Sequence, residues 1–230
     1  EPREVARCQR RIDVLEHVVE GLHALPALLL AQRGAGLVEH PAQQIQAGEV
    51  QRLRCPSCGF THWGNPTPVL AAVVEGADGR VLLARNALWQ EGVFGLITGF
   101  MEAGESPEAG ICREVMEETG LRVKALRLLC CSEFLRMNQV LIAYHVLVEG
   151  RAEDVKLSPE LLEYRWQTAE ESLCWPAGTG YALAEWIKQK GFEPRFGAFR
   201  PSHNPEPDPA KWPVRLWDED QRFTVAPVID

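Results

Sequence analysis

The stretch from Gly99 to Leu121, GFMEAGESPEAGICREVMEETGL, decides the fold. It combines a glycine-bracketed loop with a short helical segment. Ser106 can cap this helix, and Pro107 suits its first turn, where the N–H that proline lacks would have no partner. Gly120 ends the helix, because glycine takes the left-handed conformation that commonly follows a last helical turn. The sequence therefore predicts a loop that leads directly into a short, well-capped helix.

Three carboxylates crowd one face of this helix. Glu114, Glu117 and Glu118 are spaced by three and four residues, so their side chains lie together. Like charges at this spacing cost roughly a few tenths of a kcal/mol, and acidic groups near a helix C-terminus oppose the helix dipole. A solvated acidic face is the ordinary explanation, but it leaves the flanking glycines and the lone Arg113 unexplained. A cluster of oxygen ligands for a hard divalent cation accounts for both.

These residues resemble the Nudix box, whose pattern is G-x5-E-x7-R-E-U-x-E-E-x-G-U with U apolar. The specified positions that match are Gly99, Glu105, Arg113, Glu114, Val115, Glu117, Glu118, Gly120 and Leu121. The resemblance implies a loop–helix–loop that binds Mg²⁺ or Mn²⁺ and a hydrolase that cleaves a nucleoside diphosphate linked to another moiety. It also implies an α+β fold, an α/β/α sandwich with a mixed β-sheet between helices, over residues 66–192.

Roles for the box residues follow from their spacing. Glu114 and Glu118, one turn apart, are the expected first metal ligands, and Glu117 is the expected second-metal ligand or base. Arg113 is expected to orient a carboxylate through a bidentate, charge-assisted bond, with Glu105 as its partner. Contact between Arg113 and substrate phosphate is the alternative. All five are candidate catalytic residues.

The NADH-pyrophosphatase branch of the family suggests roles for three more positions by resemblance. Phe100 matches the residue whose ring stacks on the adenine. Glu160 matches a glutamate that joins the box carboxylates at the metals, and the backbone carbonyl of Thr98 matches a further metal ligand. The ordinary alternatives are core packing for Phe100 and a solvent-facing loop position for Glu160.

The segment after the box departs from that branch. The branch carries Ser-Gln-Pro-Trp-Pro-Phe-Pro-x-Ser, whereas the stretch from Ser132 to Gln139 is SEFLRMNQ. Ser132 remains as a candidate substrate-binding residue, but the proline–aromatic pattern that lines the dinucleotide pocket is gone. NAD(H), ADP-ribose, FAD, CoA and nucleotide sugars therefore all stay open as substrates.

A cysteine knuckle precedes this domain. The run Cys55-Pro-Ser-Cys58-Gly resembles half of the zinc ribbon found in the same branch, whose full pattern needs a second CxxC roughly 15–20 residues away. No second CxxC occurs in this chain. The favoured interpretation is a turn without metal. The alternative is a Zn²⁺ site completed by His62 or by a partner subunit.

Composition is ordinary for a globular protein, with 46% hydrophobic and 24% charged residues. The net charge of −8 argues against a general nucleic-acid binder, whose phosphate contacts require a basic surface. No apolar run reaches the roughly 20 residues that span a bilayer. The seven cysteines, an odd number, favour free thiols in a reducing compartment. We therefore expect a cytoplasmic enzyme with a small-molecule nucleotide substrate and no membrane partner.

Four segments are predicted along the chain. Residues 1–48 form an N-terminal helical extension and linker, because apolar residues recur there at three- and four-residue spacing. Residues 49–66 form the knuckle, and residues 67–192 form the hydrolase domain. Residues 193–230 form a packed C-terminal extension rich in proline and aromatic residues. The apolar appendages favour a homodimer.

Two other functions stay open beside the metal-dependent hydrolase. One is a Nudix-fold module that binds a nucleotide as a sensor without turning it over. The other is a hydrolase that processes the 5′ cap of RNA. The intact box weighs against the first, and the acidic charge weighs against the second.

Overall fold

A computed structural model describes residues 43–47, 50–197, 214–215 and 223–227. Contacts divide the chain into two compact units, residues 1–65 and residues 66–230. The helices predicted near the N-terminus lie outside the described residues. The two units are described separately below.

The first unit contains a small antiparallel sheet. Strand β1 (Gln43–Ala47) pairs with β2 (Val50–Arg54), and β2 pairs with β3 (Thr61–His62). The expectation of a linker up to residue 48 is therefore wrong for β1. Its mostly polar sequence shows no clear apolar alternation. The pairing rests on backbone hydrogen bonds, which depend little on side-chain type.

The second unit is built on an eight-stranded mixed sheet. Its strands are β4 (Thr67–Glu75), β5 (Val81–Asn86), β6 (Ile97–Phe100), β7 (Arg122–Phe134), β8 (Gln139–Glu149), β9 (Leu161–Gln167), β12 (Val214–Arg215) and β13 (Thr224–Val225). The main path runs β12-β7-β8-β4-β5-β9, while β6 pairs with β4 and β13 pairs with β7. Strands β4 and β8 are parallel, and the other pairs of this sheet are antiparallel.

Among the described residues of this unit there are two α-helices, α1 (Pro107–Thr119) and α2 (Gly180–Gln189). Short 3₁₀ turns occupy Leu135–Met137 and Ala152–Asp154. A separate parallel pair is formed by β10 (Leu173–Cys174) and β11 (Arg195–Phe196).

The two helices cover opposite faces of the sheet. Successive residues of β4 point to opposite faces. Leu70 and Ala72 pack in one apolar cluster with Ile111 of α1, whereas Ala71 packs in a second cluster with Trp186 of α2. We call these the α1 face and the α2 face. The predicted mixed β-sheet with flanking helices is confirmed.

Local sequence signals explain the ends of α1. Ser106 Oγ accepts a hydrogen bond from Ala109 N at 3.2 Å, and Pro107 occupies the first turn. Gly120 has φ 68°, and its N–H donates to Met116 O at 2.8 Å. The helix bounds are those predicted from the sequence.

A buried polar network joins the sheet to α2. Glu75, at the end of β4, accepts hydrogen bonds from Trp186 Nε1 at 2.7 Å and Lys190 Nζ at 2.6 Å. His145 Nε2 lies 2.7 Å from Glu75 Oε2. Burial opposes the charge of Glu75, but these partners together lower its pKa to about 2. Burial also lowers the pKa of His145.

Parts of the predicted C-terminal extension join the main sheet. Strand β12 pairs with β7 at Cys130 and Cys131, and β13 pairs with β7 near Leu126. The compact unit accordingly runs beyond residue 192. Within the described residues, no helix has the length and apolar character needed to cross a membrane.

Candidate active site

The box helix α1 places its carboxylates beside strand β6 at three levels of burial. The side chain of Glu114 is only 12% exposed, while that of Glu117 is 59% exposed. Glu118, one turn beyond Glu114, is half-buried. The three carboxylates therefore form a graded cluster that opens towards solvent at Glu117.

Arg113 binds four of its neighbours through all three of its side-chain nitrogens. Its Nε and Nη2 donate to the two oxygens of Glu105 at 3.1 and 2.9 Å, which is a bidentate pair. Its Nη1 donates to Glu114 Oε1 at 2.8 Å and Glu117 Oε2 at 3.1 Å, and Nη2 also donates to Phe100 O at 3.2 Å. The geometry is that of an orienting residue with no nitrogen left unengaged.

The Arg113–Glu105 pair fixes the protonation of both groups. The hydrogen bond from Arg113 holds the pKa of Glu105 below its ordinary value, and Glu105 raises the pKa of Arg113 in return. Glu105 also accepts the backbone N–H of Glu102 at 2.6 Å, so it ties the loop before α1 to the helix.

Two box glycines provide space for two of the carboxylates. A Cβ built on Gly99 would lie 1.8 Å from Glu114 Cδ, so the Glu114 carboxylate occupies the place that any other side chain would fill. A Cβ on Gly110 would lie 2.5 Å from Glu105 Oε1 and 2.5 Å from Leu70 Cδ1. The sequence analysis did not predict these close approaches, although Gly99 is part of the matched pattern.

Glu118 carries the most strongly perturbed carboxylate of the box. Burial, followed by the charges of Glu114, Glu160 and Glu117, raises its pKa to about 8. Glu160 comes near because the loop before β9 docks on the end of α1, where Ser158 N donates to Glu118 O at 3.0 Å. Burial likewise raises the pKa of Glu114, against the opposing effect of Arg113.

The predicted metal ligands do not lie close enough together to surround a metal ion. Across the described residues, no three His, Cys, Asp or Glu side chains are grouped closely enough to hold a metal ion. The hydrogen bonds from Arg113 to Glu114 and Glu117 account for this arrangement, because they draw both carboxylates towards the guanidinium.

The cysteine knuckle forms a tight turn. Cys55 N donates to Phe60 O at 2.8 Å, and Gly59, with φ 74°, donates to Cys55 O at 2.9 Å. Cys55 is buried and Cys58 is half-buried. His62 lies on β3, opposite Leu53 of β2.

Of the three predicted substrate-binding residues, Phe100, Glu160 and Ser132, the first and the last share one face of the sheet. Strand pairing sets Phe100 beside Val69, Val69 beside Leu141, and Leu141 beside Ser132. Directly paired residues point to the same face, which is here the α2 face. Phe100 is 52% exposed, so it is not a core residue. Thr98 is half-buried on β6, one residue before Gly99.

Tyr144 is a further contact that the sequence analysis missed. Its hydroxyl donates to Glu108 Oε1 at 2.8 Å and links β8 to the first turn of α1. No sequence signal connects two residues so far apart in the chain.

The part of the chain that contains the box is similar to known proteins. The family model described as NUDIX domain matches residues 65–188, more than half of the chain. The NAD-capped RNA hydrolase NudC of Mycobacterium tuberculosis is 38% identical over 103 residues, which are 45% of this chain and 33% of that protein. The protein of the same name from Pseudomonas aeruginosa is 32% identical over 125 residues, 54% of this chain and 44% of that protein. The match thus spans less than half the length of these curated relatives.

A solved structure is similar in fold. The crystal structure of a NUDIX hydrolase from Nitrosomonas europaea has a TM-score of 0.56 and 24% identity, covering 73% of this chain and 94% of that chain. The box residues, the mixed sheet with two helices and the family match agree with one another. The chain belongs to the Nudix family.

Proposed function

We propose that this chain is a Mg²⁺- or Mn²⁺-dependent hydrolase that cleaves the diphosphate of a nucleoside diphosphate linked to a second moiety, with NAD(H) and ADP-ribose as the first candidates. The catalytic set comprises Glu105, Arg113, Glu114, Glu117 and Glu118, with Glu160 as an additional carboxylate.

One observation carries this proposal, namely the environment of the Glu118 carboxylate. Its half-buried carboxylate receives no hydrogen bond from any described side chain, and its neighbours Glu114, Glu117 and Glu160 are all acidic. The nearby cation, Arg113, is engaged by Glu105, Glu114 and Glu117 instead. Burial and these neighbours disfavour the charged form of the carboxylate, and a cation that binds beside it restores that form.

The donor set fits a hard divalent metal. Magnesium uses one or two carboxylates and completes its shell with water and substrate phosphate, so a site without three converged protein ligands is suitable. Glu114 and Glu118 would hold the first ion, with Glu117, Glu160 and the Thr98 carbonyl as further ligands. Bound metal neutralises the diphosphate and lowers the pKa of a coordinated water.

The chain's own residues position the reaction. Arg113 fixes Glu105 and Glu114, and Gly99 leaves room for the Glu114 carboxylate. Glu117, the most exposed of the cluster, is the candidate group to accept the proton of the attacking water. Phe100 supplies an exposed ring beside the box for the adenine.

A second candidate substrate is RNA that carries NAD at its 5′ end. The relatives named NAD-capped RNA hydrolase favour it, and the bond cleaved would be the same diphosphate. The net charge of −8 weighs against strong contacts to RNA phosphates. Equal kcat/KM for NAD and for NAD-capped RNA would mean that the chain makes no use of the RNA body.

The decisive experiment compares Glu118→Gln with the control Glu102→Gln. Hydrolysis of NADH and ADP-ribose is followed by product chromatography in Mg²⁺ and in Mn²⁺. Glu118→Gln should lower kcat by at least about 100-fold, the scale for a group that acts on developing charge. Glu102→Gln, an exposed loop residue, should stay close to wild type. Wild-type hydrolysis by Glu118→Gln would overturn the mechanism, and tight binding without turnover in the unmodified chain would favour the sensor module.

The remaining assignments extend this proposal. Buried free thiols at Cys112, Cys130 and Cys174 fit a reducing compartment such as the cytoplasm. Homodimerisation stays a prediction that light scattering after size exclusion can check. Elemental analysis of the purified chain will show whether Cys55 and Cys58 hold zinc, which we do not expect.

A further inference from the structure

A tryptophan lies close against a glycine two residues before β6. A Cβ built on Gly95 would lie 2.8 Å from both Cη2 and Cζ3 of Trp89, so the ring lies directly over the glycine. Trp89 is nevertheless 40% exposed. Part of a large aromatic ring therefore packs on the backbone while another part is open to solvent.

The ring lies on the α1 face, the face that carries the box carboxylates. Gly95 forms a bridge with Ala84, and Ala84 packs in the apolar cluster of α1. Ile97, two residues on, packs in that cluster as well, and Gly99 faces Glu114. Positions 95, 97 and 99 thus point the same way, as alternation along a strand requires.

The distance between ring and carboxylate suits a nucleotide. Gly95 and Gly99 are four residues apart, or about 13 Å at 3.3 Å per residue. Glu114 lies over the second glycine and Trp89 over the first. A nucleoside that extends from a diphosphate at Glu114 along this strand would bring its base to the ring of Trp89.

The segment that carries Trp89 is held by hydrogen bonds next to the box. Ala87 N donates to Glu160 O at 2.8 Å, and the charge of Glu160 acts on Glu118. Arg85 Nη1 donates to Trp89 O at 3.2 Å, and Arg85 Nε contacts Glu163 Oε1 at 2.5 Å. The ring is therefore positioned before any ligand arrives, which limits the entropy lost on binding.

We propose that Trp89 stacks on the planar heterocycle of the substrate's second half, and that the site selects diphosphate-bridged dinucleotides over diphosphates that carry a sugar alone. This inference rests on the proposed function. Phe100 follows Gly99 but lies on the α2 face, so the two exposed rings lie on opposite faces of the sheet and Trp89 is the exposed ring on the face of Glu114.

The test compares three variants on two substrates. Trp89→Ala removes the ring, Trp89→Phe keeps an aromatic surface, and Leu88→Ala changes the 93% exposed neighbour as a matched control. NADH has two heterocycles, and ADP-ribose lacks the second. Stacking of one base on an aromatic residue is lost with a penalty of about 5- to 150-fold. We expect Trp89→Ala to raise KM for NADH by a factor in that range with kcat little changed.

The outcomes separate stacking from a structural role of Trp89. ADP-ribose should keep its wild-type kcat/KM in Trp89→Ala, Trp89→Phe should restore most of the NADH affinity, and Leu88→Ala should behave as wild type. Equal losses on both substrates, or an unchanged KM for NADH, would overturn the proposal. Melting temperatures show whether Trp89→Ala remains folded, and Trp89→Phe supplies the test if it does not.

A binding measurement keeps this test independent of the proposed hydrolysis. NADH and ADP-ribose are titrated into the wild type and the Trp89 variants in EDTA, with binding followed by calorimetry. A selective loss of NADH affinity in Trp89→Ala supports stacking even if the wild type hydrolyses neither compound. A wild type that binds both equally well, with no change in Trp89→Ala, refutes it.

Discussion

The substitution Gly99→Ala isolates the position of one carboxylate. The new Cβ would lie 1.8 Å from Glu114 Cδ and 2.0 Å from its Oε1. Restoring an ordinary contact of at least 3.4 Å moves the carboxylate by about 1.6 Å. A displacement of about 1 Å at a reacting centre can cost 100-fold in rate, so we expect kcat/KM to fall by about 100-fold or more.

Stability should change much less than activity in Gly99→Ala. The displaced group is the flexible end of a side chain, so the backbone need not move. Loss of the contact between Glu114 and Arg113, which are 12% and 19% exposed, costs about 1 kcal/mol, and replacing a strand glycine returns a similar amount of backbone entropy. A change of about 1 kcal/mol in the free energy of unfolding shifts the melting temperature of a domain of this size by only a few degrees. The melting temperature of Gly99→Ala should therefore stay within a few degrees of wild type.

The assay measures hydrolysis of NADH and ADP-ribose in Mn²⁺, together with thermal unfolding. Gly76→Ala is the control, because its Cβ would meet Trp166 at 3.1 Å and Asp78 at 3.2 Å, away from the box. It should keep wild-type kcat/KM. If Gly99→Ala kept activity within threefold of wild type, or lost activity only in proportion to its unfolded fraction, the assigned role of Glu114 would be wrong.

Two further predictions concern Arg113 and the buried network. Arg113→Lys cannot form the bidentate pair with Glu105, so kcat/KM should fall about 10- to 100-fold, as for other residues that orient a ligand. The variant should still bind NADH in EDTA. An unchanged rate would contradict the orienting role. The pKa of Glu75 is lowered from 4.5 to about 2, so its stabilising effect is complete above pH 4.5 and is lost as the pH falls towards 2. The lowered pKa of His145 destabilises in the same direction, from pH 6.5 downward. Denaturant unfolding of wild type and Glu75→Gln at several pH values checks this, since Glu75→Gln should be less stable at pH 7 and should show a flatter acid dependence.

The helix-capping residues and the spacing of the glutamates were sufficient to predict the box helix and the carboxylates on it. Ser106 and Gly120 act within a few residues of themselves, so their roles follow from local geometry alone. The turn between β4 and β5 is equally local, since Gly79 there has φ 79°. Such features need no knowledge of the rest of the chain.

The features that the sequence could not reveal depend on which strands pair and in which register. Ser132 and Phe100 lie on one face only because β8 and β4 are parallel in a particular register. A shift of one residue would move Ser132 to the other face. The position of Trp89 depends in the same way on the bridge between Ala84 and Gly95, which no local pattern indicates.

The carboxylate cluster is asymmetric, and this asymmetry bears on how the site works. Arg113 donates hydrogen bonds to Glu105, Glu114 and Glu117 with all of its side-chain nitrogens. A contact with substrate phosphate would therefore require it to release one of these partners. Glu118 lies on the far side of Glu114 and has only acidic neighbours. Positive charge is therefore built into one side of the cluster and is lacking on the other. Under the proposed function, a divalent cation that arrives with the diphosphate would supply positive charge on the side that lacks it.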